Sequence, residues 1–532
     1  MHFLANAIIV LWGWRRVAAA TAAGAISALA LPPWSAFPVL WLSIPVLVWL
    51  IDGAIAPDGA GLLRRLLPGA IVGWSFGFGY FLAGLWWIGA AFLVDGDNLV
   101  GLMPFAVVAL SAGLALFWAF GAVLARLFWP DGWPRILVFA AAFSFAEWLR
   151  GHVLTGFPWN AFGYTLTPAP VMMQSAAIVG LWGLTLAAFI IFSAPALLAA
   201  PDRDGRDGRH LFLAFAATIL LAHVAFGVLR LADASDATLA DVRLRIVQPA
   251  VEQVEKSREE NEDAIFRHYL QISDGAISPE NSGIAGITLL VWPETAIPFF
   301  LTDRPDALAA LAALLPDGTT LLTGATRPER AGASEPALVY NSVYVIGDDG
   351  EILTAYDKVD MVRFGEISPI QSALEAVGIR RLTKRNSGFS ARARRRTLML
   401  ADAPSFSPLI SNEIFYPGAA TDPAARPGWL LNLTNDAWFA DTPGPHQHFL
   451  QARIRAVEEG LPLVRAANSG ISAIVDANGR VASSLHVGHA GVIDGDLPVG
   501  LPPTPYSLYG GWIFLGLLVA SLGTATIRQL IP

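Results

Sequence analysis

Eight apolar stretches, each long enough to cross the hydrocarbon core of a bilayer, constrain this chain more than any other feature. They run near 16–32, 37–53, 68–93, 101–125, 134–150, 168–199, 211–231 and 510–527. A spanning helix needs about 20 predominantly apolar residues. The composition agrees: 54% hydrophobic and 15% charged residues are far from the balance of a soluble protein. Eighteen Trp and 30 Phe suit a chain that meets the membrane–water interface. A net charge of −8 argues against nucleic-acid binding, which needs a concentrated basic face. The absence of cysteine excludes disulfides, thiolate metal sites and a cysteine nucleophile in this molecule.

Basic residues set the expected topology. Arg15 and Arg16 precede the first span, Arg64 and Arg65 lie between the second and third, and Arg126 and Arg135 flank the next such gap. Arg203, Arg206 and Arg209 follow the sixth span, and Arg528 follows the eighth. The alternate loops are poorer in basic residues, one of them offering Asp95 and Asp97 instead. Positive-inside asymmetry therefore puts the N-terminus in the cytoplasm and the long segment after the seventh span outside it. The expected division is 1–232 as seven membrane helices, 233–508 as an extracytoplasmic domain, and 509–532 as a last membrane helix.

From about Ala240 the pattern changes. Short β-rich runs at 242–247, 287–292, 319–324, 338–346, 397–402, 407–411, 428–433, 463–467 and 472–476 alternate with helix-permissive stretches at 254–273, 305–315 and 446–459. Alternation of this kind predicts a layered α/β domain, large enough to bury a full core. A basic stretch at 379–396 reads as a solvated loop, or more sharply as a contact with anionic headgroups.

Three polar residues stand at the ends of apolar runs, where an α/β sheet presents its site. Glu294 ends Leu-Leu-Val-Trp-Pro-Glu within Val-Trp-Pro-Glu-Thr, Lys358 lies in Asp-Lys-Val-x-x-Val-x-Phe-Gly-Glu, and Ser411 opens Ser-Asn-Glu-Ile-Phe-Tyr-Pro-Gly. A carboxylate to take a proton, an ammonium to steady an oxyanion and a nucleophile together suit acyl transfer. From spacing alone, a salt-bridged Glu or Lys and a turn-forming Ser are the commoner readings.

These segments, in order and spacing, look like the three active-site motifs of the carbon–nitrogen hydrolase (nitrilase) superfamily. Their form resembles the bacterial apolipoprotein N-acyltransferase family. Asn-Leu-Thr-Asn-Asp-Ala-Trp-Phe (432–439), 444–458, 463–473, and in the membrane half 77–87 and 147–160, are similar to it as well. The resemblance implies a nitrilase-like αββα sandwich inserted between transmembrane helices 7 and 8. It implies Glu294 as general base, Lys358 as catalytic lysine and Ser411 at the nucleophile position, with Glu366, Glu413 and Asn412 in support. The implied reaction is N-acylation of the amino-terminal diacylglyceryl-cysteine of lipoproteins, with a phospholipid as acyl donor and no metal or soluble cofactor. The implied location is the bacterial inner membrane, with the catalytic domain on the periplasmic side.

The chain departs from the family pattern at identifiable places. The family's nucleophile is a cysteine, and Ser411 stands there; Asn412 replaces a usual Tyr, and Ala250 and Ser257 replace a usual Asn and Trp. A serine is harder to ionise and forms a less reactive acyl ester. Two alternatives follow: a relative of reduced or no activity that binds lipoprotein or phospholipid, and a membrane-tethered amidase. Segments 360–395 and 435–446 carry the Gly, Pro and aromatic residues of candidate lids.

Overall fold

Each of the eight apolar stretches forms helix. The computed structural model describes residues 2–57, 59–94, 100–199, 208–256, 258–276, 283–329, 338–361, 390, 392, 394–439 and 441–530. The chain divides into two compact units. The first comprises Met1–Ala234, Thr442–Glu458 and Pro503–Pro532; the second comprises Ser235–Asp441 and Glu459–Pro502.

The first unit is helical. Among the described residues, Leu62–Leu93, Val100–Leu127, Ala176–Ala199 and Arg209–Ala232 are long and apolar enough to cross a membrane, with Phe37–Asp52 and Gly511–Ile527 as shorter apolar helices. Small residues let these helices touch backbone to backbone, the packing device of membrane helices. A Cβ added at Gly73 would lie 2.5 Å from the Trp118 carbonyl oxygen, and one at Gly24 would lie 1.9 Å from that of Phe76. The segment 147–160 supplies a buried clamp. Arg150 pairs with Glu147 at 2.8 Å with both side chains fully enclosed. Glu147 also accepts from the Trp118 indole and the Phe162 amide, and Arg150 donates to the Trp159 carbonyl.

The helix Pro443–Glu459 belongs with this unit up to Glu458, although it follows strands of the second. Its polar face explains why. Gln447 accepts from the indoles of Trp87 and Trp159 at 3.2 and 2.9 Å. Eleven residues on, three turns along the same face, Glu458 accepts from the Leu181 amide at 2.7 Å and pairs with Arg455 at 2.9 Å.

The second unit is built on two mixed sheets. Strands β1 (Thr238–Gln248), β2 (Leu289–Val291), β3 (Thr320–Glu329), β4 (Leu338–Ile346) and β5 (Ile352–Asp357) form one sheet with β11 (Gly491–Pro498), in the order β11-β1-β2-β3-β4-β5. Strands β6 (Phe406–Ile410), β7 (Trp429–Thr434), β8 (Leu463–Ala467), β9 (Ser472–Val475) and β10 (Val481–Leu485) form the other, in the order β10-β9-β8-β7-β6. The pairs β1–β2–β3 and β6–β7–β8 run parallel.

Side-chain alternation builds the core. Leu244, Ile246, Leu289, Val291, Val343 and Val345 meet Phe406, Ile410, Leu431, Leu433 and Val464 between the sheets. Leu290 and Trp292 point the other way, towards Phe266 and Tyr269 of the helix Glu262–Ser273 and Leu311 of the helix Pro305–Leu314. A helix layer thus covers the first sheet. Among the described residues, the second unit does not itself supply a fourth, helical layer.

Two expectations change. Residues 397–402 form only an isolated bridge, Leu398 to Phe406; Leu398 and Leu400 pack on the core while Met399 faces outwards. Strands β5, β10 and β11 were not apparent from the sequence; β10, Val-Ala-Ser-Ser-Leu, is an edge strand with little apolar signal. Most of the basic stretch at 379–396, and most of the segment 360–395, lie outside the described residues.

Candidate active site

Strand ends gather the polar residues. Glu294 follows β2 after Trp292-Pro293, Lys358 follows β5 directly, and Ser411 follows β6 directly. Glu294 and Lys358 meet: the amine lies 3.9 Å from Oε1, with side-chain exposures of 1% for Lys358 and 9% for Glu294. Asn341 on β4 donates to Oε1 at 2.8 Å, and the Asn435 amide donates to Oε2 at 2.8 Å. Both bonds favour the ionised carboxylate, the form a proton acceptor needs.

The turn that carries Glu294 requires glycine opposite it. A Cβ at Gly324 on β3 would lie 2.6 Å from the Glu294 Cα. Thr295 follows with φ +47.

Ser411 occupies a left-handed backbone position, φ +51, at the first residue of the 3-10 turn Ser411–Phe415. Such a conformation costs a non-glycine residue about 1–3 kcal/mol and is held only where the surroundings enforce it. Glu413 does much of that. Its Oε2 accepts from the Ile410 amide at 2.8 Å, immediately before Ser411. Its Oε1 accepts from the Val359 amide at 2.8 Å, immediately after Lys358, and from the Tyr356 hydroxyl at 3.0 Å. One fully buried carboxylate therefore ties the Ser411 turn to the Lys358 segment. Burial, followed by the negative charge of Glu413, pushes the Tyr356 phenol well above its ordinary value, so it stays a donor.

Asn412 is buried; burial pushes the Tyr416 phenol above its ordinary value, and the Asn412 side chain acts against that shift. Glu366 and Ser257 lie outside the described residues. Ala250 takes φ +53, and its amide donates to the Asn468 carbonyl at 2.8 Å. Asn341, Asn435 and the partners of Glu413 escaped sequence reasoning, because their roles come from cross-strand neighbours. Among the described residues, no group of His, Asp and Glu is arranged to hold a metal ion.

A carboxylate with two donors and a buried ammonium beside it are tied through Glu413 to the turn that carries Ser411. The carbon–nitrogen hydrolase family model matches residues 243–501, and the apolipoprotein N-acyltransferase N-terminal domain model matches 23–194. The apolipoprotein N-acyltransferase of Rhodopseudomonas palustris is 46% identical over 95% of this chain and 94% of its own. That of Rhizobium meliloti is 48% identical over 94% of this chain and 93% of its own. The chain belongs to the apolipoprotein N-acyltransferase family. A carbon–nitrogen hydrolase structure from Helicobacter pylori G27 aligns with 52% of this chain and 94% of its own at 13% identity, TM-score 0.34.

Proposed function

We propose that this protein N-acylates the amino-terminal diacylglyceryl-cysteine of bacterial apolipoproteins, with a phospholipid as acyl donor. The observation that carries the proposal is the buried Glu294–Lys358 pair, 3.9 Å apart, in a chain of this family. Ser411 Oγ attacks the donor ester carbonyl while Glu294 accepts the hydroxyl proton. Lys358 steadies the negative charge on the tetrahedral oxygen. The lysophospholipid leaves with the proton returned by Glu294, and an acyl ester remains on Ser411. The lipoprotein amine then attacks that ester, gives its proton to Glu294, and the amide product departs as Ser411 is reprotonated. Glu366, Glu413 and Asn412 support this site.

Residues 1–232 and 509–532 are proposed as the membrane domain, with the 233–508 domain inserted between the seventh and eighth helices. Arginine asymmetry supports a bacterial inner-membrane location with Ser411 on the periplasmic side. Lipid substrates suit this architecture, since acyl chains reach such a site from the bilayer.

A second reading, a lipid- or lipoprotein-binding relative with little turnover, draws on Ser411, because an alcohol is a weaker nucleophile than a thiol. Full-length protein and its Ser411→Cys variant, given phosphatidylethanolamine and a diacylglyceryl lipopeptide, separate the two. Acyl-enzyme and triacylated peptide by mass spectrometry from both forms support catalysis by serine. Product from the variant alone makes Ser411 the limiting group. Binding without product from either form overturns the acyltransferase reading, and cleavage of soluble amides by both would indicate an amidase.

A further inference from the structure

Behind the Ser411 turn lies a cation that the acyl-transfer scheme does not use. Arg465, at the centre of β8, is fully buried. Its Nη2 donates to Asp436 Oδ2 at 2.8 Å, its Nε donates to the Ile471 carbonyl at 3.2 Å, and its Nη1 donates to Asn432 Oδ1. Asn432 sits on β7 in register with Arg465 on one side and Leu409 on the other. Its amide nitrogen donates to the Leu409 carbonyl at 2.9 Å and reaches the Ser411 carbonyl at 3.4 Å. That is the main chain of the residue in the left-handed conformation.

The other arm leads to the base. Asp436 accepts from the Thr434 hydroxyl at 3.0 Å, which closes a short turn around Asn435. Asn435 is the residue whose amide binds Glu294 Oε2. Gly470 allows the carboxylate to sit there, since a Cβ would stand 2.3 Å from Asp436 Oδ2. Burial lowers the affinity of the Arg465 guanidinium for its proton, while Asp436 first and Glu294 after it pull the other way.

We propose that Arg465 is a positioning residue for acyl transfer: through Asn432 it holds the main chain of Ser411, and through Asp436 it holds the turn whose amide binds Glu294. A guanidinium can fork to three acceptors in fixed directions; a lysine ammonium is a point charge without that geometry. The inference rests on the acyl-transfer reading of the site, but its test does not need turnover.

The chain has no cysteine, so Ser411→Cys introduces the sole thiol. In full-length protein in phospholipid nanodiscs, that thiol is alkylated with iodoacetamide across the pH range, and acyl-enzyme formation from phosphatidylethanolamine is followed in parallel. Added to Ser411→Cys, Asn432→Leu and Arg465→Lys each slow the first acylation by about tenfold or more with KM unchanged, as expected when a reacting group is misplaced. Arg465→Lys also moves the acid limb of the alkylation profile upwards, because Glu294 loses an aligned donor to its charged form. Asn432→Leu leaves that limb in place. Parental rate and profile in both variants, or a change confined to KM, overturn the proposal. If Arg465→Lys fails to fold, Thr434→Val tests the Asp436 arm and Asn432→Leu the Ser411 arm, by the same criteria. If the Ser411→Cys parent does not react with phospholipid, the acyl-transfer reading fails, and the alkylation profiles alone decide the role of Arg465.

Discussion

The amine of Lys358 stands 3.9 Å from Oε1 of Glu294, and both side chains are withdrawn from water. Two opposite charges so enclosed depend on one another. Removal of either leaves the other buried and uncompensated, a cost of about 3–5 kcal/mol. Glu294→Gln preserves shape and an acceptor for Asn341 while abolishing proton uptake. Acyl-enzyme formation is expected to fall between about 100- and 10,000-fold, the range for loss of a general base. Intact-mass spectrometry after incubation with phosphatidylethanolamine reads the outcome; an unchanged rate refutes the role.

Ser411→Cys places a group that ionises far more readily on the same enforced turn. The side chains differ little in volume, so Glu413 should continue to hold Ile410 and Val359. Turnover is expected to rise by at least about tenfold, measured as triacylated lipopeptide against the unaltered chain. No gain would mean that the hydroxyl does not limit the reaction.

Asp357, next to Lys358, provides a pH test. Burial raises its affinity for a proton, but hydrogen bonds from Arg327, Ser342 and Arg392 prevail and hold it below its ordinary value. A carboxylate depressed in the folded state stabilises above its unfolded pKa, and that stability is lost as pH falls through the folded value. Asp357→Asn should therefore lower the melting temperature at neutral pH, with the gap to the parent shrinking below about pH 4. A gap that widens on acidification would contradict this sign.

Within the helical unit, Glu147 and Arg150 form an enclosed pair at 2.8 Å. Arg150→Met is expected to cost about 3–5 kcal/mol by stranding Glu147, and the double variant Glu147→Leu/Arg150→Met to recover part of it. Thermal unfolding in detergent measures both. Equal losses in the single and double variants would show that the pair is not what Arg150 contributes.

Apolar length and strand periodicity depend on local composition, which is why the eight helical stretches and strands such as β4 and β8 were readable in advance. The places of Glu294, Lys358 and Ser411 at the ends of strands were readable because each follows an apolar run, while the roles proposed for them came from the family resemblance. What binds them together was not. Asn341, on a strand, and Asn435, just past one, serve Glu294 from 47 and 141 residues away in sequence. Glu413 joins the Ser411 turn to Val359, 54 residues back. Links across that distance follow from sheet order and register, which no local window contains. β10 and β11 escaped for a different reason, since their short runs mix Ser, Gly and Asp with few large apolar residues.

The helix Pro443–Glu459 has a consequence for anyone who divides this chain. Glycine, tryptophan and leucine partners for its Gln447–Glu458 face come from Gly84, Trp87, Trp159 and Leu181. A gene fragment encoding 235–502 would thus carry a helix stripped of its seat, with Gln447, Arg455 and Glu458 left to seek water. Swapping hydrolase modules between relatives would meet the same obstacle. The interchangeable part is not a contiguous stretch of sequence, and a working graft must bring the segments around Gly84, Trp159 and Leu181 along with it.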